Sequence, residues 1–406
     1  MQVPRPIVWI ILAGCILLAI IFLLFPSSVP QLVRPADEHP TVYLIYASAG
    51  SMPQLLNTGQ IDGFMVWEPV VSNAELAGIG KRVAVPSNLP PPGKWEDAAS
   101  CVLVLRNDFI QKYPDQSALI SALTTAAINR TNSDPDLARQ VTADWVFGRN
   151  PVLTPTGSLS PLDIENRSFE NMVFTADALP PESGLVSSIT RSKSGGSYEP
   201  AGMMVEAVRS RGGEFLNGSA SPVITGEIPE LNIGYLPSSD NFAPLYVMVK
   251  DSQYFCDRYG FCLVPDDPAA LRPDSCTLLA GGGTVARVSL LQAQSGGGIM
   301  TTIGQEALDG AYVGSVPASL QIALGNPSSI IQSINTGGTG LVVDPHAPCD
   351  DWKSFINWTK SRSARGRPVI IATIQSSIQE DMTRGALAYE NISVIMYGTD
   401  IKTEYS

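Results

Sequence analysis

Apolar and polar positions change their period several times along this chain, and the changes mark its elements. Short apolar runs bounded by Gly, Pro, Asn or Asp read as buried strands at 42–46, 62–66, 100–105, 231–237, 340–343 and 368–374. Helical stretches lie between them. Residues 114–146 read as two helices broken at Asp134-Pro135, and 243–250 as a shorter one. Residues 350–365 carry Trp352, Phe355 and Trp358 at helical spacing and read as an amphipathic helix. Ser376 and Ser377 stand as N-cap residues before the helix that holds Met382 and Leu387. Residues 150–230 are rich in Pro, Gly and Ser, with 192–197 as a flexible stretch, so 181–230 is expected to join two parts of the fold.

One structural step occurs twice. The segment from Met52 to Pro69 and the segment from Met300 to Pro317 each run from a helical stretch through apolar-Asp-Gly into three apolar residues and a Pro turn. Each is a helix-to-strand connection whose strand end opens onto a loop. No shorter period recurs, so two similar lobes are expected and not a repeat array. A two-lobed α/β protein holds ligands where strand C-termini and helix N-termini meet across the cleft.

The first residues change the compartment. Residues 7–25 carry no charge and follow Arg5, a length and polarity that predict a membrane-spanning signal anchor with the body outside the cytoplasm. The tetrad ending in Cys15 reads alternatively as a lipidation site. Export agrees with the sequons at Asn129, Asn166, Asn217, Asn357 and Asn391, and with Cys256 and Cys262, whose spacing suits a small disulfide loop. Cys101 sits inside an apolar run and reads as a buried thiol.

Composition then narrows the chemistry. A length of 406 residues exceeds what one core supports, and 35 Gly with 32 Pro exclude a coiled coil. The net charge of −12 argues against nucleic acid, and two His with six Cys leave little for a metal or His-based catalytic centre. His346, within the run from Asp344 to Asp351, reads as a lobe connection. The three glycines after Ser295 precede a helix and suit an approaching anion or a plain turn.

Several of these runs carry a resemblance. Leu231 to Pro237 with the loop Ser238-Ser-Asp-Asn241, then Leu308-Asp-Gly-Ala-Tyr-Val-Gly-Ser-Val-Pro-Ala318, resemble the opening half of ABC-transporter substrate-binding proteins of the nitrate/sulfonate/taurine class. Pro368-Val-Ile-Ile-Ala-Thr-Ile-Gln-Ser-Ser377 is similar to their entry into the second lobe. Gly59-Gln-Ile-Asp-Gly-Phe-Met-Val-Trp-Glu-Pro69, 101–107 and Phe109 with Pro114 resemble their later half. Pyrimidine-precursor-binding proteins of thiamine synthesis share this likeness.

The resemblance implies an α/β, two-lobed periplasmic-binding protein type II fold, here circularly permuted, because the segment like the family's first half comes second. A fragment of tandem binding domains that assemble by exchange between chains, and an order altered in assembling the sequence, are the two other readings of that order. Residues 107–180 with 231–339 are expected to build lobe A, and 41–99 with 344–406 lobe B. Hinge crossings are expected near 100–105 and 340–343, after an anchor and linker over 1–36. The implied function is capture of a small organic anion or zwitterion for an ABC permease by a monomer, with no cofactor, metal or catalysis. A membrane-anchored sensor and a pyrimidine-precursor protein are the alternatives. The matched motifs place Ser238, Ser239, Asp240, Asn241, Gly314 and Ser315 on the ligand from lobe A. From lobe B they place Ser376, Ser377, Trp67 and Glu68.

Overall fold

The structure, a computed structural model, describes residues 39–397 apart from 156, 195 and 224–226. The chain first lays down β1 (Thr41–Tyr46), α1 (Met52–Asn57), β2 (Gly63–Trp67), α2 (Val70–Leu76) and β3 (Lys81–Ala84). It then builds β4 (Ala99–Arg106), α3 (Asn107–Lys112), α4 (Pro114–Ser133), α5 (Pro135–Val146), the hairpin of β5 (Val152–Thr154) and β6 (Gly157–Leu159), α6 (Pro161–Phe169) and β7 (Met172–Phe174). Two helices follow, α7 (Gly184–Ser194) and α8 (Glu206–Leu216). The next pass holds β8 (Glu230–Tyr235), α9 (Ala243–Lys250), α10 (Ser252–Tyr259), β9 (Phe261–Pro265), β10 (Ser275–Ala280), β11 (Gly283–Gln292), α11 (Gly296–Gly304), β12 (Gly310–Gly314), α12 (Ser315–Ala323) and β13 (Ser328–Gly337). The last holds β14 (Thr339–Val343), α13 (Trp352–Ala364), β15 (Val369–Thr373), α14 (Ile378–Tyr389) and β16 (Ser393–Met396).

These strands form two principal sheets, one per lobe. The larger runs β7-β13-β4-β12-β8-β11-β10-β9 and the smaller β16-β1-β15-β2-β14-β3. In each, one strand arriving from the other lobe lies antiparallel to its neighbours: β4 against β12 and β13, β14 against β2 and β3. The mixed α/β arrangement is consistent with a periplasmic-binding-protein-like fold. The chain therefore changes lobe just before each of the two strands expected at the hinge. One change is very tight. Gly337 and Gly338 both take positive φ, and a Cβ on either would collide with Asn171 O or Asn241 Oδ1, so no larger residue fits the turn.

Local rules explain most elements. Pro114 and Pro135 open α4 and α5, where the missing N–H costs nothing, and the Asp134 side chain between them accepts from Leu137 N. The Asp-Gly of each repeated step falls at a strand start, and β2 and β12 occupy interior positions in their sheets. Each is almost wholly buried, which accounts for its unbroken apolar run. In the larger lobe Trp145 stacks on Tyr246 at 4.6 Å and meets Tyr235 edge-on at 6.0 Å, filling the core beneath β8.

Two expectations change in detail. The stretch 181–230 contains helices α7 and α8, and α8 lies on α4. The glycines at 296–298 form the first turn of α11, since Ser295 Oγ accepts from Gly298 N and caps it at 3.1 Å. Cys256 and Cys262 are joined as a disulfide, and Cys101 is a buried free thiol. Among the described residues no helix is long and apolar enough to cross a membrane. The anchor expected at 7–25, Cys15 and residues 398–406 lie outside the described residues.

Candidate ligand-binding site

Between the two lobes lies a cleft of about 290 Å³. Its lobe A wall comes from Ser100 and Cys101 on β4, Leu236, Ser239, Asn241 and Phe242 after β8, Ser295–Gly297, Gly314 and Pro317. Lobe B supplies Trp67 at the end of β2 and the run from Ile374 to Gln379. Helices α11, α12 and α14 all begin at this wall, with Ser295, Gly314 and Ser377 as their N-cap residues. The first turns of a helix hold N–H groups without intrahelical acceptors and carry the positive end of its dipole. Two such ends from lobe A thus face one from lobe B.

The cap at α14 is well made. Ser377 Oγ accepts from Glu380 N at 3.2 Å and donates to Ile374 O at 2.7 Å. Ser376 sits at φ 56°, a left-handed conformation, and its N–H donates to Glu380 Oε2 at 2.7 Å. The other oxygen of that carboxylate accepts from Tyr46 Oη at 2.6 Å and Arg384 Nε at 2.7 Å. Arg384 therefore balances Glu380, and the positive end of α14 is left for the cleft. Burial, helped by the Glu380 charge, pushes the Tyr46 phenol up to about 12.

No Asp, Glu, Lys, Arg or His stands among the cleft-lining residues. Polar recognition there rests on hydroxyls, amides and backbone N–H groups set in apolar walls. Trp67 Nε1 and Ser100 Oγ are buried beside the cleft without a conventional hydrogen-bond partner among the described residues, Ser100 having the Cys101 thiol beside it. Burial pushes that thiol up, so Cys101 is protonated and unreactive near neutrality. Among the described residues no group of three or more His, Cys, Asp and Glu is arranged to hold a metal. His346 is exposed in the connection after β14.

Of the residues expected on the ligand, Trp67, Ser239, Asn241, Gly314, Ser376 and Ser377 line the cleft together. Four do not, and each has a local reason. Ser238 turns out to solvent. Ser315 is buried, its hydroxyl donating to Ala99 O at 2.5 Å, and so braces α12 on β4. Glu68 points behind the wall, 3.0 Å from an Arg82 nitrogen, and accepts from Ser72 N at 2.9 Å. Asp240 is fully buried on that same far side against Glu165. The two carboxylates, which in the cleft would have suited an ammonium group, are thus withdrawn from it. Sequence reasoning missed Gln375, Gln379 and Ser100; Gln375 precedes the Ser376-Ser377 pair and Gln379 lies in the first turn of the helix that the pair caps, so both were legible from that motif, whereas Ser100 carried no signal.

Comparison with known proteins adds a frame. The model of the NMT1-like family matches residues 37–146 and 225–404, leaving 147–224 outside the match. A protein of Methanocaldococcus jannaschii, described as uncharacterized, is 31% identical over 121 residues, which cover 30% of this chain and 80% of that protein. No solved structure matches.

Proposed function

This chain belongs to the NMT1-like family, within the class of nitrate/sulfonate/taurine-binding and thiamine-pyrimidine-precursor-binding proteins, and from that premise we propose an extracytoplasmic solute-binding protein that delivers a small organic oxyanion to an ABC importer. One observation carries the choice of ligand: helix N-termini from both lobes converge on a cleft with no charged side chain in its wall. An anion is stabilised there by N–H groups and dipoles, and contact with both lobes favours the closed state. An ammonium group would find no carboxylate in that wall, so a zwitterion ranks below a simple anion.

On this reading residues 7–25 anchor the body outside the cytoplasm. The disulfide between Cys256 and Cys262 supports an oxidising compartment. The segment order is read as rotated relative to the family, supported by the parallel pairing of β1 with both β15 and β16.

Titration calorimetry of the purified chain against nitrate, methanesulfonate, taurine and an aminopyrimidine tests the ligand reading. One oxyanion is expected to bind, to quench or shift Trp67 fluorescence, and to raise stability by about 2.7 kcal/mol at 100 times Kd. Replacing Trp67 by Phe should remove the optical signal. Silence across the panel, in heat and in melting temperature, would sink the proposal. Uptake that persists in cells lacking the permease would remove the importer from it.

A further inference from the structure

The segment outside the family match touches both lobes at two separated places. At the back of the cleft, α6 lies between α5 of lobe A and α2 of lobe B. There Glu165 on α6, Asp240 after β8 and Glu68 after β2 are all fully buried, so three carboxyl groups from both lobes and the added segment meet behind the wall. Asp240 N donates to Glu68 O at 3.3 Å and Glu68 N to Gly338 O at 3.0 Å, which ties this cluster to the lobe crossing. At the front, α7 lies on α12 of lobe A through Val186, Tyr198 and Leu320. Its N-terminal turn, with Ser183, Gly184 and Leu185, faces the carboxyl of Asp381 on α14 of lobe B, whose Oδ2 is buried without a hydrogen-bond partner among the described residues. Lys193 Nζ pins the other end of α7 to Leu324 O at 2.6 Å.

We propose that residues 161–204 form a brace across the two lobes, pinned to lobe B by Asp381 at the front and through Glu165 and Asp240 against Glu68 at the back, and that this brace limits lobe opening. Helices α12 and α14, which the front pin ties together, begin at the cleft wall on opposite lobes. Opening the cleft requires the N-terminal turn of α7 to leave Asp381. The N-terminal, positive end of the α7 dipole faces that buried carboxyl, so drawing them apart costs electrostatic stabilisation and the pin resists opening.

The back pin depends on a proton. Among the described residues no N–H donates to a carboxyl oxygen of Asp240 or Glu165, and the two groups face each other. Burial first, and then the neighbouring acid charges, push both well above the usual carboxylate range. The charged groups around them are Glu68 on the β2 end, Arg82 on β3, which is shared with Glu75 on α2, and Arg167 on α6. Tyr246 on α9 and Arg139 on α5, stacked on Phe169, complete the surround. Raised acids stabilise the assembled state fully below their unfolded values near ~4, and that stability is lost as pH rises through the folded values. The brace therefore loosens with rising pH.

Spin labels on Thr284→Cys in lobe A and Lys353→Cys in lobe B of the full, ligand-free chain measure the opening. A single narrow distance distribution is expected at pH 6, broadening as pH rises to 9. Asp381→Ala should broaden it at every pH, while Glu165→Gln, whose amide donates to Asp240 without a titrating proton, should remove the pH dependence. Asp381→Asn serves if the alanine variant does not fold, and predicts a smaller broadening in the same direction. A distribution unchanged by both the Asp381 variants and pH would overturn the brace, as would pH broadening that survives in Glu165→Gln. Narrowing on addition of calcium or magnesium would make the carboxyl cluster a cation site and would also overturn it. No ligand enters this test, so its failure is separate from failure of the transport reading.

Discussion

At the scale of single residues, which of two neighbouring side chains the local backbone turns toward the cleft decides what meets the ligand. Ser239 and Asn241 line the cleft while Asp240, which opens the 3-10 turn Asp240–Phe242, is turned away, and Trp67 at the end of β2 lines it while Glu68 next to it is turned away. The sequence names both loops, but one chain read alone does not say which of their side chains the turn directs inward. Burial settles it physically: a carboxylate turned inward would confront three helix N-termini and compete with an anionic ligand of the kind proposed. Ser376 and Ser377 were legible for a different reason, because a serine pair ahead of a helical period is a cap wherever the helix lies. The cap also supports function. Ser377→Ala should cost about 1 kcal/mol of stability, read by chemical denaturation. It should also weaken oxyanion binding, because the α14 turn that it orders carries the lobe B N–H groups. An unchanged Kd in a variant with the expected stability loss would separate cap from site.

Elements were legible where periodicity and breakers agree, as at Pro114, Asp134-Pro135 and the two Asp-Gly strand starts. They were hidden where contact overrides composition. Helix α8 contains Gly212 and Gly213, which read locally as a break, yet the helix runs through both. The reason is its contact with α4: a Cβ at Gly212 would stand 2.8 Å from Ala118 O and 3.1 Å from Ala122 N. Small residues on both helices let the backbones approach, and the contact outweighs the poor helix propensity of glycine. Gly212→Val should push α8 off α4 and cost about 1–3 kcal/mol as overpacking does. Melting temperature should fall with ligand affinity unchanged, because α8 does not line the cleft. A variant as stable as the native chain would show that α8 is held by other contacts.

At the scale of the whole molecule the two ends of the described chain lie side by side. Strand β16 pairs in parallel with β1, Thr41 opposite Ser393 and Leu44 opposite Met396, and β1 pairs on its other edge with β15. The first and last strands thus complete one sheet, although nearly the whole sequence separates them. If the order is a rotation of the family's, what matters to folding is which strands neighbour one another and not where the chain is cut. A rearranged chain tests that directly. It would begin at residue 227, run to 404, join to residue 37, and continue to 223. Parallel neighbours need a connection of about a dozen residues, and the stretch from 397 to 404 with 37 to 40 supplies about that many. The new ends fall beside Val223, which is exposed and held by its N–H on Asp115 Oδ2 at 2.6 Å. The rearranged chain should have the oligomeric state of the native chain, expected to be a monomer, keep its disulfide between Cys256 and Cys262, and melt within a few degrees of the native order. Its ligand affinity should match as well, because both cleft walls are rebuilt from the same neighbours. Aggregation or a dimer would show that the native order is required for β1 and β16 to find each other within one chain, and would favour exchange between chains as the origin of that order.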